Sequence, residues 1–359
     1  MKVAIILGTR PEIIKMSPII RGCEKRGIDY FIIHTNQHYS PEMDKIFFEE
    51  LELPQPKYNL GVGSGSHGAQ IGKMLVEIEK VLAQEKPGVV LVQGDTNTVV
   101  AGALSASKLG IKVGHAEAGL RSYDRTMPEE INRVITDHVS DYLFVPTKGA
   151  EENALKEGIE KKKIFVTGNT IVDAVFQNLE IAKKRNDALK KLKLEEKMYI
   201  FVTAHRPNNV DSKESLSNLL KGFEETYKKL NLPLIFPIHP RTEKMMQSFG
   251  LKVPEGLKII KAVGFLECLQ LEENAKIILT DSGGVQEEAC ILGVPSVILR
   301  ENTERPETLE VGASVLAGNN SDRIIASAIK MIEKKETWEN PFGDGKAAEK
   351  IIGILESHL

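Results

Sequence analysis

The feature of this sequence that most restricts its fold is a regular alternation of short apolar runs with amphipathic segments. The apolar runs predict buried strands, and the segments with a period near 3.6 residues predict helices. Such alternation is typical of parallel sheets covered by helices on both faces. The predicted strands are residues 3–7, 30–34, 89–93, 112–115, 142–145, 164–167, 199–204, 234–238, 257–260, 276–280, 296–299 and 314–316. The main predicted helices are residues 11–26, 67–84, 98–109, 129–139, 148–157, 171–185, 213–230, 241–249, 266–274, 285–292, 322–334 and 346–359.

A length of 359 residues suits two domains, and the join is expected within residues 169–197. Its charge-dense part, residues 186–197, is interpreted as a solvated connection, and the whole of residues 169–197 as a hinge. The sequence therefore predicts two doubly wound, Rossmann-like α/β domains that face each other across a cleft, where open α/β sheets bind ligands. The domains are residues 1–170 and residues 171–343, and a terminal helix at residues 344–359 is expected to pack back on the first domain.

Composition excludes several classes of partner. A net charge of -3 gives no reason to expect nucleic acid or an anionic membrane. No apolar run reaches membrane-spanning length, and the N-terminus lacks a signal-peptide pattern. Cys23, Cys268 and Cys290 are widely spaced and form no CxxC pair, which fits a reducing compartment. We therefore expect a cytoplasmic protein.

The turn at residues 282–284 is the first candidate ligand site. It joins a predicted buried strand to a predicted helix, and the positive end of that helix favours a phosphate. Glu287 and Glu288 lie about one helical turn further on, where a carboxylate could accept hydrogen bonds from sugar hydroxyls. The alternative is an ordinary strand-to-helix turn in which Asp281 or Ser282 caps the helix.

Two cations follow the first predicted strand. Arg10 lies in the turn and Lys15 one turn into the helix, where both can meet an anionic ligand. The alternative is that Arg10 pairs with an acid and Lys15 is simply exposed.

Three carboxylates in the first half are candidates for acid–base chemistry. Asp95 and Glu117 follow neighbouring strands, and parallel strands end at one edge of a sheet, so we expect them to converge with Glu129 on one cleft. Several carboxylates in a closed site raise some of their pKa values, as proton transfer requires. Glu129 has an alternative interpretation, because acids are favoured in the first turn of any helix.

Basic side chains follow the strands of the second half. His205 and Arg206 come after one predicted strand, and His239 and Arg241 come after the next. Arg305 is a further candidate anion-binding residue, expected near the turn at residues 282–284.

Two signals are interpreted as unrelated to function. Residues 63–68 match GxGxxG but follow no hydrophobic strand, so they do not predict a dinucleotide site. His34 and His38 have the HxxxH spacing, but a strand ends between them and no third ligand is evident. The sequence therefore predicts no metal site.

Eight motifs in unbroken order from residue 8 to residue 345 together resemble the non-hydrolysing UDP-N-acetylglucosamine 2-epimerases. In this sequence they are GTRPEIIK, GDT, HAEAGLR, PEEINR, AHR, DSGGVQEEA, TERPE and NPFGDG. The resemblance implies the two-domain GT-B fold of many nucleotide-sugar glycosyltransferases. It also implies interconversion of UDP-N-acetylglucosamine (UDP-GlcNAc) and UDP-N-acetylmannosamine (UDP-ManNAc) without NAD, metal or other cofactor, in a homodimer that supplies surface-polysaccharide precursors.

The resemblance assigns roles to the candidate residues. Ser282, Gly283 and Gly284 would bind phosphate, Glu288 the ribose hydroxyls, and Arg305 would lie in the nucleotide-sugar pocket. The residues that would line the reacting centre are Arg10, Lys15, Asp95, Glu117, Glu129 and His205. The family eliminates UDP across C1–C2 to give a glucal-type alkene and adds it back with C2 protonated on the opposite face. Which carboxylate removes the proton and which returns it stays open.

The chain departs from the family pattern at several points. Pro207-Asn208-Asn209 replaces an expected Arg and Glu-Asn, Gln93 stands where other members carry His, and the loop at residues 63–68 differs. Bacterial relatives use a second UDP-GlcNAc as an allosteric activator, to which Gln37, Arg206 and His239 could contribute.

Alternative functions remain open. A hydrolysing 2-epimerase would release free N-acetylmannosamine, and a UDP-sugar glycosyltransferase would need an acceptor. A UDP-sugar sensor would bind without reacting, but it would not need Asp95, Glu117 and Glu129 in the other domain.

Overall fold

A computed structural model of the chain describes residues 2–37, 41–185, 187–334 and 338–358. The chain forms two compact units, each built on a parallel sheet. Unit 1 comprises Met1–Gln177 and Phe342–Leu359, and unit 2 comprises Asn178–Pro341.

In the described residues the sheet of unit 1 has the order β3-β2-β1-β4-β5-β6-β7, and that of unit 2 has the order β10-β9-β8-β11-β12-β13. The strands of unit 1 are β1 (Lys2–Leu7), β2 (Asp29–His34), β3 (Tyr58–Asn59), β4 (Val89–Gln93), β5 (Lys112–Ala116), β6 (Tyr142–Val145) and β7 (Ile164–Val166). Those of unit 2 are β8 (Ile200–Thr203), β9 (Leu234–Pro237), β10 (Leu257–Ile260), β11 (Ile277–Thr280), β12 (Ser296–Ile298) and β13 (Ser314–Leu316). The central strands are buried throughout because helices cover both faces of each sheet.

The helices within the described residues are α1 (Arg10–Arg26), α2 (Pro41–Glu50), α3 (His67–Glu85), α4 (Asn97–Lys108), α5 (Pro128–Val139), α6 (Lys148–Lys156), α7 (Thr170–Arg185), α8 (Ala188–Leu192), α9 (Pro207–Val210), α10 (Lys213–Leu230), α11 (Pro240–Ser248), α12 (Phe265–Glu273), α13 (Gly283–Ile291), α14 (Pro306–Glu310), α15 (Ser321–Ile332) and α16 (Ala347–His358). The terminal helix α16 packs against α1 in unit 1. Its first turn is held by Asp173, which accepts hydrogen bonds from the backbone N–H groups of Ala347 and Ala348 at 3.1 and 3.0 Å.

In each sheet the direction in which successive strands are added reverses at one position. In unit 1 the reversal lies between β1 and β4, and in unit 2 it lies between β8 and β11. Crossovers leave in opposite directions from such a pair of strands, so a crevice forms at their carboxyl ends. The loops at these positions contain Asp95, His205 and Ser282, and Arg10 is the first residue of the helix that follows β1.

The structure confirms the predicted strands and main helices to within a few residues, but it corrects one segment. The charge-dense residues after 186 were expected to be a solvated connection, and that prediction is wrong for their apolar members. Ala188 is buried, and Leu189, Leu192 and Leu194 pack against the same apolar cluster of unit 2. Lysines occupy the outer face of α8, so the high charge concealed an amphipathic helix. Asn186 lies outside the described residues.

No helix in the described ranges is both long and apolar enough to cross a membrane.

Candidate active site

The turn after β1 is fixed by a buried carboxylate that the sequence analysis did not select. Glu12 accepts hydrogen bonds from the backbone N–H groups of Gly8 (2.6 Å) and Thr9 (2.8 Å) and from the hydroxyl of Thr96. Burial raises the pKa of Glu12 from 4.5 to about 7, although these hydrogen bonds oppose the rise. Glu12 therefore joins the turn after β1 to the turn after β4. Arg10, in the same turn, stacks over the ring of Phe47 with 5.5 Å between its guanidinium carbon and the ring centroid.

Glycine at position 8 is required by close packing. A Cβ atom there would collide with the hydroxyl groups of Thr35 and Thr98, which hydrogen-bond to each other at 2.8 Å. The turn can therefore approach the neighbouring strand and helix more closely than any other residue type would permit.

Lys15 and Glu117 form an ion pair in unit 1. The Lys15 Nζ atom lies 2.7 Å from Glu117 Oε1 and 2.8 Å from Oε2, and both side chains are largely buried, at 12% and 7% exposure. Gln93 and Asn169 also donate hydrogen bonds to the Glu117 carboxylate. Glu117 has a left-handed backbone conformation with φ of 68°, which is uncommon outside glycine and marks a tightly determined position. The alternative interpretation, in which Lys15 is simply exposed, is therefore wrong.

Asp95 is held by α5. Its carboxylate forms an ion pair with Arg133, and its backbone carbonyl accepts a hydrogen bond of 2.9 Å from the side-chain amide of Asn132. Arg133 also contacts Glu130 at 3.1 Å. Burial opposes ionisation of Glu130, but hydrogen bonds from Ser122 and the adjoining backbone outweigh it and lower its pKa. The PEEINR motif thus supplies the partners that orient Asp95.

Asp95 and Glu129 line one cavity of about 360 Å³ in unit 1. Glu129 is exposed in the first turn of α5. The other residues around the cavity are Gln37, Ser64, Gly65, His67, Gln70, Thr96, Asn97, Pro128 and Asn132. The structure therefore brings two of the three predicted carboxylates to a common cavity, whereas Glu117 is not among its lining residues. The loop at residues 63–68 contributes to this wall, a role that no local sequence signal predicted.

Polar side chains tie the wall of this cavity together. Asn97 donates a 2.8 Å hydrogen bond to Gln70 and lies 3.1 Å from the Nδ1 atom of His67. Gln70 in turn donates to the backbone carbonyls of Gln37 (3.1 Å) and Gly63 (2.7 Å). The buried Gln37 side chain accepts from the hydroxyl of Thr98 at 2.9 Å. The cavity wall is thus a connected hydrogen-bond network.

A buried charged cluster supports the turns after β4 and β5. His115 contacts Asp137 through Nδ1 (2.7 Å) and the carbonyl of Gly94 through Nε2 (2.8 Å), so both ring nitrogens face acceptors. Arg121 contacts the other oxygen of Asp137 at 2.8 Å. Burial alone would raise the pKa of Asp137, but His115 and Arg121 outweigh it and lower that pKa. The HAEAGLR motif therefore fixes the turn that precedes Asp95.

In unit 2 a buried carboxylate holds the His205 turn. Asp281 accepts hydrogen bonds from the backbone N–H groups of His205 and Arg206, both at 2.9 Å, and from the side-chain amide of Asn209 at 3.0 Å. Its other oxygen lies 3.2 Å from His205 Nδ1. Burial opposes ionisation, yet the hydrogen bonds from His205 and Arg206 lower the pKa of Asp281. Asp281 is therefore not the cap of α13.

The ring of His239 lies beside that of His205, tilted by 35°, with 5.4 Å between the ring centroids. Its Nδ1 accepts a 3.1 Å hydrogen bond from the backbone N–H of Arg241, which caps α11. Burial, His205 and Arg241 lower the pKa of His239. Arg206 lies 3.9 Å from Glu304, whose pKa falls to about 2 because Arg300 donates hydrogen bonds to it.

The turn at residues 282–284 begins α13. Ser282 is the N-cap, and its hydroxyl accepts a 3.4 Å hydrogen bond from the backbone N–H of Val285. Gly283 and Gly284 are the first helical residues, and a Cβ atom at either position would have no contact closer than 3.8 Å. Capping and anion binding are compatible here, because backbone N–H groups of the first turn lack acceptors within the helix.

The remaining candidates of unit 2 lie on or beside α13. Glu288 is nearly buried and hydrogen-bonds to Glu272, whose pKa is raised well above its usual value by burial and by the Glu288 charge. Arg305 contacts Glu287 through Nε at 2.6 Å. The TERPE segment is thus attached to α13 through an ion pair and through the hydrogen bond that the Thr303 hydroxyl donates to Gln286 at 2.6 Å.

The described ranges contain no group of three or more His, Cys, Asp or Glu side chains placed to hold a metal ion. His34 is buried at the end of β2, and His38 lies outside the described residues.

Each of the two doubly wound sheets has polar side chains at the position where its strand order reverses. This arrangement is typical of α/β proteins that bind a ligand. Residues 21–356 match the family model described as UDP-N-acetylglucosamine 2-epimerase. The chain is 61% identical to the UDP-N-acetylglucosamine 2-epimerase of Methanocaldococcus jannaschii, over 99% of both chains. It is also 40% identical, over 99% of both chains, to the UDP-2,3-diacetamido-2,3-dideoxy-D-glucuronate 2-epimerase of Pseudomonas aeruginosa.

A solved structure of the Methanocaldococcus jannaschii UDP-GlcNAc 2-epimerase, in complex with UDP-GlcNAc and UDP, superposes with a TM-score of 0.87 at 61% identity. The match covers 99% of this chain and 100% of that one. The chain therefore belongs to the UDP-N-acetylglucosamine 2-epimerase family, an isomerase family. The resemblance inferred from the eight motifs and the GT-B-like fold class are confirmed.

Proposed function

We propose that this protein interconverts UDP-GlcNAc and UDP-ManNAc by inverting C2, with UDP still attached to the sugar in the product. The observation that carries the proposal is the full-length similarity to the Methanocaldococcus jannaschii 2-epimerase, whose solved structure holds UDP-GlcNAc and UDP. Surface-polysaccharide synthesis would consume the product, and the widely spaced cysteines without a CxxC pair suit a cytoplasmic location.

The chemistry that we propose is elimination followed by re-addition. C2 carries an acetamido group and is not next to a carbonyl carbon, so its hydrogen is barely acidic. A carboxylate takes the C2 proton, the C2–H electron pair becomes the second bond of the C1–C2 alkene, and the C1–O pair leaves on the diphosphate. Re-addition reverses these bond changes after C2 receives a proton on the opposite face.

The carboxylates of unit 1 are the proposed acid–base groups. Asp95 and Glu129 line a common cavity, which supports their assignment as the pair that removes and returns the proton. Glu117 is held by Lys15, Gln93 and Asn169 instead, which suits a charged group of fixed orientation.

The departing diphosphate is assigned to the backbone N–H groups of Gly283 and Gly284, with Ser282, His205 and Arg10 as further donors. Preorganised donors aimed at a charge that develops in the transition state are usually the largest source of catalysis in such a step. Glu288 would accept the ribose hydroxyls, and Arg305 would contact the nucleotide sugar. The Arg305–Glu287 ion pair limits the rotamers of Arg305 and so supports a defined position.

A product assay tests the function. UDP-GlcNAc is incubated with the protein and the mixture is followed by ³¹P and ¹H NMR. The proposal predicts UDP-ManNAc in equilibrium with UDP-GlcNAc, and the diphosphate signals of a sugar ester throughout. Free UDP with N-acetylmannosamine would indicate the hydrolysing reaction, and turnover only with an acceptor would indicate a glycosyltransferase. Unchanged substrate despite binding would favour a sensor.

We further propose that a second UDP-GlcNAc activates the enzyme, as the resemblance implies for bacterial relatives. Gln37 lines the cavity of unit 1, and Arg206 and His239 lie in unit 2. Assays started with UDP-ManNAc alone test this directly. Activation predicts a lag that a trace of UDP-GlcNAc abolishes, whereas immediate linear conversion would contradict it.

We also propose a homodimer, on the same resemblance. Light scattering on the eluting peak of a gel-filtration column should give twice the mass of one chain, and the mass of a single chain would contradict the proposal.

A further inference from the structure

Asp281 has a second contact beyond its backbone hydrogen bonds. One carboxylate oxygen, Oδ2, accepts from the N–H groups of His205 and Arg206 and from the Asn209 side chain. The other oxygen, Oδ1, lies 3.2 Å from the ring Nδ1 of His205 and accepts a longer hydrogen bond of 3.2 Å from the His205 backbone N–H. The Asp281 carboxylate is fully buried, whereas the His205 side chain is 41% exposed. A carboxylate can only accept, so the form of the ring that suits this contact is the one with a hydrogen on Nδ1.

We propose that Asp281 is a positioning residue for the reaction: it holds His205 with Nδ1 protonated, so that Nε2 is the atom presented to the departing diphosphate. This inference rests on the proposed function, in which His205 is a donor to that leaving group. In the protonated ring, Nε2–H donates to a phosphate oxygen as the C1–O bond breaks. The Asp281 carboxylate compensates the positive charge of the ring.

The neighbouring His239 bears on which of the two histidine rings carries the positive charge. Its ring lies beside that of His205, and its Nδ1 is already an acceptor for the backbone N–H of Arg241. His239 can therefore be protonated at Nδ1 only if α11 loses its cap. Two adjacent imidazoles do not both carry a charge at low cost, and Asp281 contacts only one of them. The positive charge is thus assigned to His205.

The competing explanation is that Asp281 is only an anchor for the backbone turn. The Asp281→Asn variant distinguishes the positioning role from the anchoring role. Three N–H donors point at Oδ2, so the asparagine must place its oxygen there. The new NH₂ group must therefore take the place of Oδ1, where it faces His205 Nδ1. An amide N–H can only donate, so Nδ1 must lose its proton and the neutral ring must carry its hydrogen on Nε2. The hydrogen bonds that hold the backbone turn are kept, but the proton of the neutral His205 ring is on Nε2 instead of Nδ1.

The first test is ¹⁵N NMR of protein labelled at histidine, without substrate. We expect protonated Nδ1 for His205 in the wild type and unprotonated Nδ1 in Asp281→Asn. Asn209→Ala is the matched control, since it removes a hydrogen bond to Asp281 without touching the ring, and we expect its His205 signals to match the wild type. An unprotonated Nδ1 in the wild type, or unchanged signals in Asp281→Asn, would overturn the inference.

The second test is a double-mutant cycle on epimerisation. Asp281→Asn should lower kcat on the order of 100-fold, with KM changed less than about threefold, because its neutral His205 ring still donates through Nε2 but offers no positive charge to the charge that develops on the leaving group. In a His205→Gln background the same change should have no further effect on kcat. Losses that multiply in the double variant would show that Asp281 acts as an anchor only. The NMR result stands even if the wild type proves not to be an epimerase, so failure of the inference and failure of the proposed function are distinguishable.

Discussion

The ammonium group of Lys15 lies 2.7 Å from the nearer carboxylate oxygen of Glu117, with both side chains largely buried. The pair joins α1 to the residue that follows β5, across 102 positions of sequence. Each residue was selected from the sequence as a separate ligand contact. Their pairing means that removing either charge leaves the other one buried without this ion pair.

Lys15→Met should therefore destabilise unit 1 by about 3 kcal/mol, because the buried Glu117 carboxylate loses the cation 2.7 Å from it. Adding Glu117→Gln should restore part of that loss, since the buried negative charge that Lys15 balanced is then removed as well. Urea unfolding of the two single variants and the double variant measures the coupling. Lys25→Met, an exposed position on the same helix, is the control and should change little. Additive effects in the double variant would contradict a direct pair.

Glu12 predicts a specific pH dependence of stability. Its pKa is raised in the folded protein to about 7, so the stability gained from its proton is complete below pH 4.5 and is lost as the pH rises through 7. Glu12→Gln keeps an acceptor for the N–H groups of Gly8 and Thr9, and its NH₂ group can donate to the Thr96 hydroxyl, which now donates to Glu12, but it cannot titrate. The wild-type free energy of unfolding, relative to this variant, should fall by about 3 kcal/mol between pH 4.5 and pH 8.

Urea unfolding of wild type and Glu12→Gln across that pH range measures the difference. Glu79→Gln, an exposed glutamate on α3, is the matched control and should track the wild type at every pH. A constant difference between wild type and Glu12→Gln would show that Glu12 does not titrate in this range.

Substitutions of Asp95 and Glu129 are both expected to reduce catalysis. For Glu129 the effect on stability should be small. Glu129 is exposed, so Glu129→Gln should leave the unfolding free energy within about 0.5 kcal/mol of wild type. Its kcat should fall roughly 10²–10⁴-fold, the usual contribution of a proton-transfer group. Asp95→Asn should lose activity similarly, with some loss of stability because Arg133 loses its partner. Glu152→Gln, exposed on α6, should retain full activity, and a fully active Glu129→Gln would remove Glu129 from the mechanism.

The elements of the fold were predictable because apolar periodicity is local. The order of the strands was not, and it is this order that places the turns after β1 and β4 next to each other. Lysine-rich α8 was missed because charge density outweighed its apolar stripe. The two-residue strand β3 is too short to leave a pattern.

The candidate site was predictable where a charged residue ends a strand, as at Asp95 and Glu117. Its partners were not, because Arg133 comes 38 positions after Asp95 and no local pattern links them. Glu12 could have been found, since Thr9 and Glu12 have the spacing of a capping box. His67 and Gln70 could not, because the cavity that they line exists only once α3 and α4 pack together.

The central claim is that the C2 hydrogen is transferred to a carboxylate of unit 1, whose proton then exchanges with the solvent. The most direct test is ¹H NMR of UDP-GlcNAc incubated with the protein in D₂O. The account predicts that UDP-ManNAc forms with deuterium at C2 and that the C2 proton of the remaining UDP-GlcNAc also disappears as the reaction reverses. Epimerised product that keeps its original hydrogen at C2 would contradict it.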